Sequence, residues 1–176
     1  MNDSKISVRY AKALFNLAKS QNNLEKFYED SVFVYQILED NQIFDFLKNP
    51  IVRNSQKNAL FENLKKYISN QFFQFLKLIV QNNREHYLKL IILNFKKYYF
   101  EEKNIYEVEV TTNTELTELV VNELKTLLSQ KLGKQIILKN TIKPEIIGGF
   151  VAKVDDLQID ASIRTQLNNF RRELKK

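Results

Sequence analysis

Side chains able to do chemistry are few in this chain, and they are scattered. There is one histidine, His86, and no cysteine. That leaves no multi-histidine metal cluster, thiolate zinc site, cysteine nucleophile or disulfide framework. A Ser-His-Asp relay would rest on His86 alone, which stands beside the apolar stripe Leu88, Ile91, Ile92 and Phe95; packing or surface exposure explains it without catalysis. The three glycines, Gly133, Gly148 and Gly149, fit neither G-x-x-x-x-G-K-[ST] nor G-x-G-x-x-G, so the loops whose backbone amides cradle phosphate are missing. Asp155, Asp156 and Asp160 come nearest to an oxygen-ligand cluster, and turn and cap chemistry accounts for them more simply than a metal. The run Lys96-Lys97-Tyr98-Tyr99-Phe100 sets cations beside rings, as single-strand-binding surfaces do. Bundle packing with a solvated lysine edge is the competing reading. The expectation is no catalytic residue, no cofactor and no metal, which leaves recognition as the chemistry.

Recognition needs surfaces, and surfaces need elements to carry them. Helical periodicity predicts helices near 4–20, 23–39, 41–48, 55–69, 71–82 and 84–103, with short polar joints, which implies antiparallel neighbours in a bundle. The first helix is apolar over more than one bundle face requires. Ile6, Val8, Tyr10, Ala11, Ala13, Leu14, Phe15, Leu17 and Ala18 sweep an arc of roughly 220° at about 100° per residue, leaving Arg9, Lys12, Asn16 and Lys19 on the polar side. Either this helix is centrally buried, or one flank packs inward while Tyr10, Ala13, Leu14 and Leu17 line a groove for a helix from another chain. The segment carrying Phe72, Phe73, Phe75, Leu76, Ile79 and Val80 is equally over-supplied with apolar surface. Phe72, Leu76 and Ile79 are the expected second wall. On the groove reading, a charge placed at Ala13 or Leu14 abolishes partner capture and leaves the fold intact.

After Asn104 the period changes. Tyr106, Val108 and Val110 alternate with polar residues, predicting a half-buried strand; Thr114 is placed to cap a helix bearing Leu116, Val120, Leu124, Leu127 and Leu128; Gly133 ends that helix, and Gln135 to Leu138 reads as a second strand. The pair Gly148-Gly149 predicts a bend opening a strand at Phe150, Ala152 and Val154; Asp155-Asp156 turns the chain into Leu157 and Ile159. Asp160 is the expected N-cap of a last helix with Ile163, Leu167, Phe170 and Leu174 on one face. The fold class is therefore mainly α: a six-helix bundle over 1–104, then a small α+β domain over 105–176.

Three segments together resemble a known family. Gly148-Gly149, an apolar strand, a short turn and then Ile159-Asp160-x-Ser162 look like the C-terminal signature of the delta subunit of rotary ATP synthases, called the oligomycin-sensitivity-conferring protein in mitochondria. Tyr10-Ala11-Lys12-Ala13-Leu14 resembles that family's Tyr-Ala-x-Ala-Leu first helix, and Asn82-Asn83-Arg84 its mid-chain Asn-x-Arg region. Two positions depart: the turn holds Asp155-Asp156 where Gly-Asp is usual, and Ala161 stands where Gly is common. The resemblance implies a non-catalytic peripheral-stalk subunit. Its helical domain would hold the N-terminal helix of an alpha subunit, and its C-terminal domain the b subunits. It also implies indirect attachment to the bacterial inner (plasma) membrane on the cytoplasmic side. Gly148, Gly149, Asp160 and Ser162 carry its structural signature.

Composition agrees with a binding protein. At 176 residues, 44% hydrophobic and 27% charged, the chain can form one moderate core or two small ones. No secretory segment opens it, and the strongest apolar run, Leu88 to Phe95, is interrupted by Lys89 and too short to span a bilayer. The formal charge of +6 raises the alternative of a small basic nucleic-acid-binding protein. Lys and Arg against Asp and Glu count 16 to 11 over residues 1–104 and 11 to 10 over 105–176. Neither part is strongly basic, and abundant Lys, Asn and Ile with few Gly suit an AT-rich genome, so no nucleic-acid partner is expected.

Overall fold

In the computed structural model, which describes residues 3–143, 148–154 and 157–173, the chain divides into two compact units, residues 1–99 and 100–176. The first is helical: α1 (Asp3–Ser20), α2 (Leu24–Glu39), α3 (Asn41–Lys48), α4 (Asn54–Leu64), α5 (Asn70–Gln81) and most of α6 (Leu88–Glu102), the last preceded by a 3-10 turn over Glu85–Tyr87. Asn22, Asn83 and Asn104 take φ of 50°, 52° and 52°, each just beyond the end of α1, α5 or α6. Asparagine tolerates this left-handed conformation better than other non-glycine residues, which is why these polar joints stop their helices.

Local chemistry sets the remaining boundaries. Asp40 accepts from the Gln42 N–H at 2.8 Å and starts α3 immediately after α2. The helix expected to run to residue 69 stops at Leu64, because Ser69 is already committed to the next one. Its hydroxyl accepts from the Phe72 N–H, while its own N–H donates 2.9 Å to Asp30 Oδ2. Asp30 is buried, with the Lys26 ammonium 3.2 Å away. A loop is thus fastened to α2 by a carboxylate that water could not otherwise satisfy. The core between these helices is large and aromatic. Phe27 and Phe72 meet edge to face with centroids 6.1 Å apart, and Leu14, Leu76, Ile79 and Phe95 are fully buried around them.

In the second unit, β1 (Ile105–Thr112), α7 (Glu118–Leu132) and β2 (Gln135–Ile142) form a β-α-β unit, followed by β3 (Phe150–Val154), β4 (Leu157–Asp160) and α8 (Ile163–Glu173). The sheet order is β2-β1-β3-β4: β2 is parallel to β1, while β3 is antiparallel to both β1 and β4. Val108, Val110, Ala152 and Ile136 of the sheet bury against Leu124 and Leu128 of α7. The fold is mainly α with a small α+β part at its C-terminal end, as the change of period implied. The start of α7 differs from expectation. Thr114 gives its carbonyl to the Thr112 hydroxyl at 2.6 Å, and the helix begins after Thr117.

The hairpin between β3 and β4 pairs Val154 with Leu157; its Asp155-Asp156 turn lies outside the described residues, as do Pro144 to Ile147 and Leu174. Gly149 has φ of +78°, and a Cβ there would meet the carbonyl oxygen of Ala161 and come within 3.0 Å of Ser162 Cα. This close approach is fixed by two hydrogen bonds, Ala161 N–H to the Phe150 carbonyl at 2.9 Å and Ile163 N–H to the Gly148 carbonyl at 3.0 Å. The glycine pair thus lets the entry to β3 press directly on the start of α8. Asp160 is not the cap of that helix. It still pairs with Val151 inside β4, and Ser162 occupies the cap, its hydroxyl accepting from the Thr165 N–H at 3.3 Å. Asp160 braces the cap from outside: Oδ1 accepts from the Ser162 N–H at 2.9 Å and Oδ2 from the Thr165 hydroxyl at 2.8 Å.

Candidate functional site

An open apolar surface of the helical unit is a groove of about 400 Å³ lined by Ile6, Arg9, Tyr10, Ala13, Leu14 and Leu17 of α1, Phe75 and Leu78 of α5, and Arg84 from the turn after α5. Its origin is the over-wide arc of α1. Ala11, Leu14 and Ala18 point into the core and are at most 1% exposed, whereas Ala13 is exposed and Leu17 retains 37% of its surface. One helix thus serves two faces about a third of a turn apart, and Leu14 lies on the border between them. Leu78 on α5 is 45% exposed, so the groove presents aliphatic and aromatic side chains with Arg9 and Arg84 among its lining. An apolar concavity of this kind between two helices suits an amphipathic helix laid along it.

Of the residues expected to face a partner, Tyr10, Ala13, Leu14 and Leu17 line the groove. Phe72, Leu76 and Ile79 do not; each is completely buried in the core, and the α5 wall is Phe75 and Leu78 instead. The reason is visible in α5 itself. Phe72, Phe73, Phe75, Leu76, Leu78, Ile79 and Val80 cover most of its circumference, so sequence periodicity cannot say which apolar stripe turns outward. Leu14 also departs from expectation: at 1% exposure it is core as much as groove, so an aspartate there breaks the fold along with the binding. Arg9 and Arg84 were not anticipated as lining residues. Their signal in the sequence is only that Arg9 flanks the apolar arc and Arg84 follows the left-handed Asn83.

The other candidates are absorbed by packing. In the Lys96–Phe100 run, Tyr99 stacks on Tyr28 with centroids 4.1 Å apart and an interplanar angle of 6°, Tyr98 packs on Phe15 at 5.8 Å, and Phe100 is buried. Tyr98 and Tyr99, both half-buried, thus serve contacts between helices. His86 is exposed, its ring against Tyr87. Among the described residues no group of three or more His, Cys, Asp or Glu could hold a metal ion, and no helix is long and apolar enough to cross a membrane.

A second exposed apolar stripe lies on α8, where Ile163, Leu167 and Phe170 are 41%, 57% and 59% exposed. The spacing i, i+4, i+7 puts them on one face, with Arg164, Arg171 and Arg172 also exposed on this helix. Gly148, Gly149, Asp160 and Ser162 sit at the base of α8 and fix its first turn.

The sequence model of the ATP synthase delta (OSCP) subunit matches residues 6–174. The chain belongs to that family. An ATP synthase subunit delta of Lactobacillus johnsonii is 32% identical over 99% of this chain and 97% of its own length, and one of Fusobacterium nucleatum is 31% identical over 98% and 99%. A chain in the cryo-EM structure of the Toxoplasma gondii mitochondrial ATP synthase hexamer superposes with a TM-score of 0.77 at 24% identity, covering 97% of each chain. At that identity the superposition speaks for the fold. The family is one of structural stalk subunits of ATP synthase, not of catalytic ones.

Proposed function

We propose that residues 1–104 hold the N-terminal helix of an ATP synthase alpha subunit in the α1–α5 groove, while residues 105–176 hold b subunits through the apolar face of α8. The chain is a non-catalytic peripheral-stalk subunit of the proton-transporting ATP synthase. Its work is mechanical: as part of the stator it resists the torque of the central rotor, so proton flow drives ATP synthesis and does not spin the catalytic head. A nucleic-acid role is set aside, since the family is one of stalk subunits and Tyr98 and Tyr99 of the aromatic run that suggested it pack on Phe15 and Tyr28.

The observation that carries this reading is the groove. Burial of its apolar lining supplies about 25 cal/mol per Å² of apolar surface, less the association costs, and a stator contact must hold under load. Attachment to the membrane is indirect, through the complex, and is assigned to the cytoplasmic face of the bacterial inner membrane. Washed membranes from cells carrying Ala13→Arg test it: the catalytic head should appear in the soluble fraction, because a long cation fills the groove beside Arg9. Retention of the head on the membrane at the wild-type level would contradict the groove assignment. For the second contact, Leu167→Asp should release b subunits from the purified complex while the head contact survives.

A further inference from the structure

The groove is apolar along its floor and one-signed at its edges. Of its nine lining residues two are arginines and none is an aspartate or glutamate. Four lysines elsewhere in the same unit have acidic partners: Lys26 with Asp30, Lys48 with Asp45, Lys57 with Glu85 and Lys77 with Glu62. Among the described residues neither Arg9 nor Arg84 has such a partner. Arg84 is held firmly. Its N–H donates 3.0 Å to the Ile79 carbonyl, the residue before it is in the left-handed region at φ 52°, and the residue after it, Glu85, is locked by a buried 2.8 Å ion pair with Lys57. A half-buried arginine on a turn pinned from both sides has its backbone ordering already met by the fold, so it can meet a ligand group at low entropic cost.

We propose that Arg9 and Arg84 select the groove's occupant by charge: the docked amphipathic helix carries carboxylates beside its apolar stripe, and these pair with the two guanidinium groups. This rests on the groove reading above and adds to it the chemistry of the partner's polar edge. Arginine suits the role because its planar fork donates two parallel N–H bonds to one carboxylate. The pairs lie at the rim, where water still reaches, so each contributes modestly to affinity and more to orientation and choice of partner.

The test titrates the full chain calorimetrically with a synthetic alpha-subunit N-terminal peptide and with the same peptide after every Asp and Glu is replaced by Asn and Gln. The acidic peptide should bind about tenfold more tightly, and the gap should narrow as salt is raised. Arg9→Gln and Arg84→Gln should each weaken the acidic peptide about threefold, leave the neutral peptide unchanged and leave the thermal melt in place, with Arg84→Lys recovering part of the loss. If both peptides bind the wild-type chain equally at low salt, selection by charge is refuted while the groove reading stands. If neither peptide binds, the groove reading fails and the proposal with it.

Discussion

Gly149 separates two costs that usually arrive together. Gly133 and Gly149 both have left-handed backbones, φ +65° and +78°, but a Cβ added at Gly133 meets nothing within 4 Å, whereas at Gly149 it runs into the Ala161 carbonyl and the Ser162 backbone. Gly133→Ala should therefore cost only the left-handed conformation of a residue with Cβ, about 1–2 kcal/mol. Gly149→Ala carries that cost and must also move backbone, breaking or stretching the Ala161–Phe150 and Ile163–Gly148 hydrogen bonds. Overpacking adds about 1–3 kcal/mol, so the whole effect is about 2–5 kcal/mol. Gly148→Ala is the control: its Cβ would lie 2.6 Å from Ile163 Cδ1, the end of a half-exposed side chain that can rotate away for about 0.5–1.5 kcal/mol. With two units in the chain a single unfolding free energy is ill-defined, so the measurement is hydrogen exchange of amides in β3 and α8. Protection there should fall most in Gly149→Ala and least in Gly148→Ala. A Gly149→Ala chain no more labile than Gly133→Ala would refute the contact between the strand entry and the helix start.

Three further outcomes follow from named contacts. Ser162→Ala removes the α8 cap and should destabilise that helix by about 0.5–2 kcal/mol, read as faster exchange in residues 163–170. Hydrogen bonds from the Ser162 side chain, the Ser162 backbone and the Thr165 hydroxyl hold Asp160 below the usual aspartate pKa. Its contribution is therefore present above the unfolded-state pKa and lost as pH falls through the lower folded one; an acid titration of α8 protection should flatten in Asp160→Asn. Lys57 and Glu85 form a buried pair with side chains only 5% and 4% exposed, so Lys57→Met alone should cost about 3–5 kcal/mol and Lys57→Met with Glu85→Leu much less, read as hydrogen exchange of amides in α4 and α5.

How much of this could be read before the structure depends on the range of the interaction. Local ones were legible: the apolar arc of α1, the switch to alternation after Asn104 and the glycine pair before β3 each follow from residues a few positions apart. Long-range ones were not. The end of α4 at Leu64 depends on Ser69 bonding to Asp30, a residue on another helix, and nothing near Ser69 in sequence announces it. The outward stripe of α5 is not legible in the sequence because apolar residues cover most of that helix; only the packing of its neighbours puts Phe72, Leu76 and Ile79 inside and Leu78 outside. Asp160 and Ser162 are both good caps two positions apart, and the choice between them is made by β4, whose pairing reaches Asp160 and delays the helix. Arg84 drew attention only as part of a motif, since its place in the groove depends on the α5 turn and the buried Lys57–Glu85 pair.

The central claim is that the outward flank of α1 is a binding surface distinct from the core face of the same helix. It is tested most directly by titrating an alpha-subunit N-terminal peptide into wild-type chain, Leu17→Asp and Leu14→Asp, with a thermal melt of each. Leu17 is in the groove and 37% exposed, while Leu14 is 1% exposed. The expected result is that Leu17→Asp melts like wild type and loses the peptide at least tenfold, an uncompensated charge in an apolar contact costing more than about 1.4 kcal/mol. Leu14→Asp should lose several kcal/mol of stability as well, about 3–5 by the cost of an unpaired buried charge. A Leu17→Asp chain that is folded and binds the peptide as tightly as wild type would contradict the claim and put the alpha-subunit contact on another face.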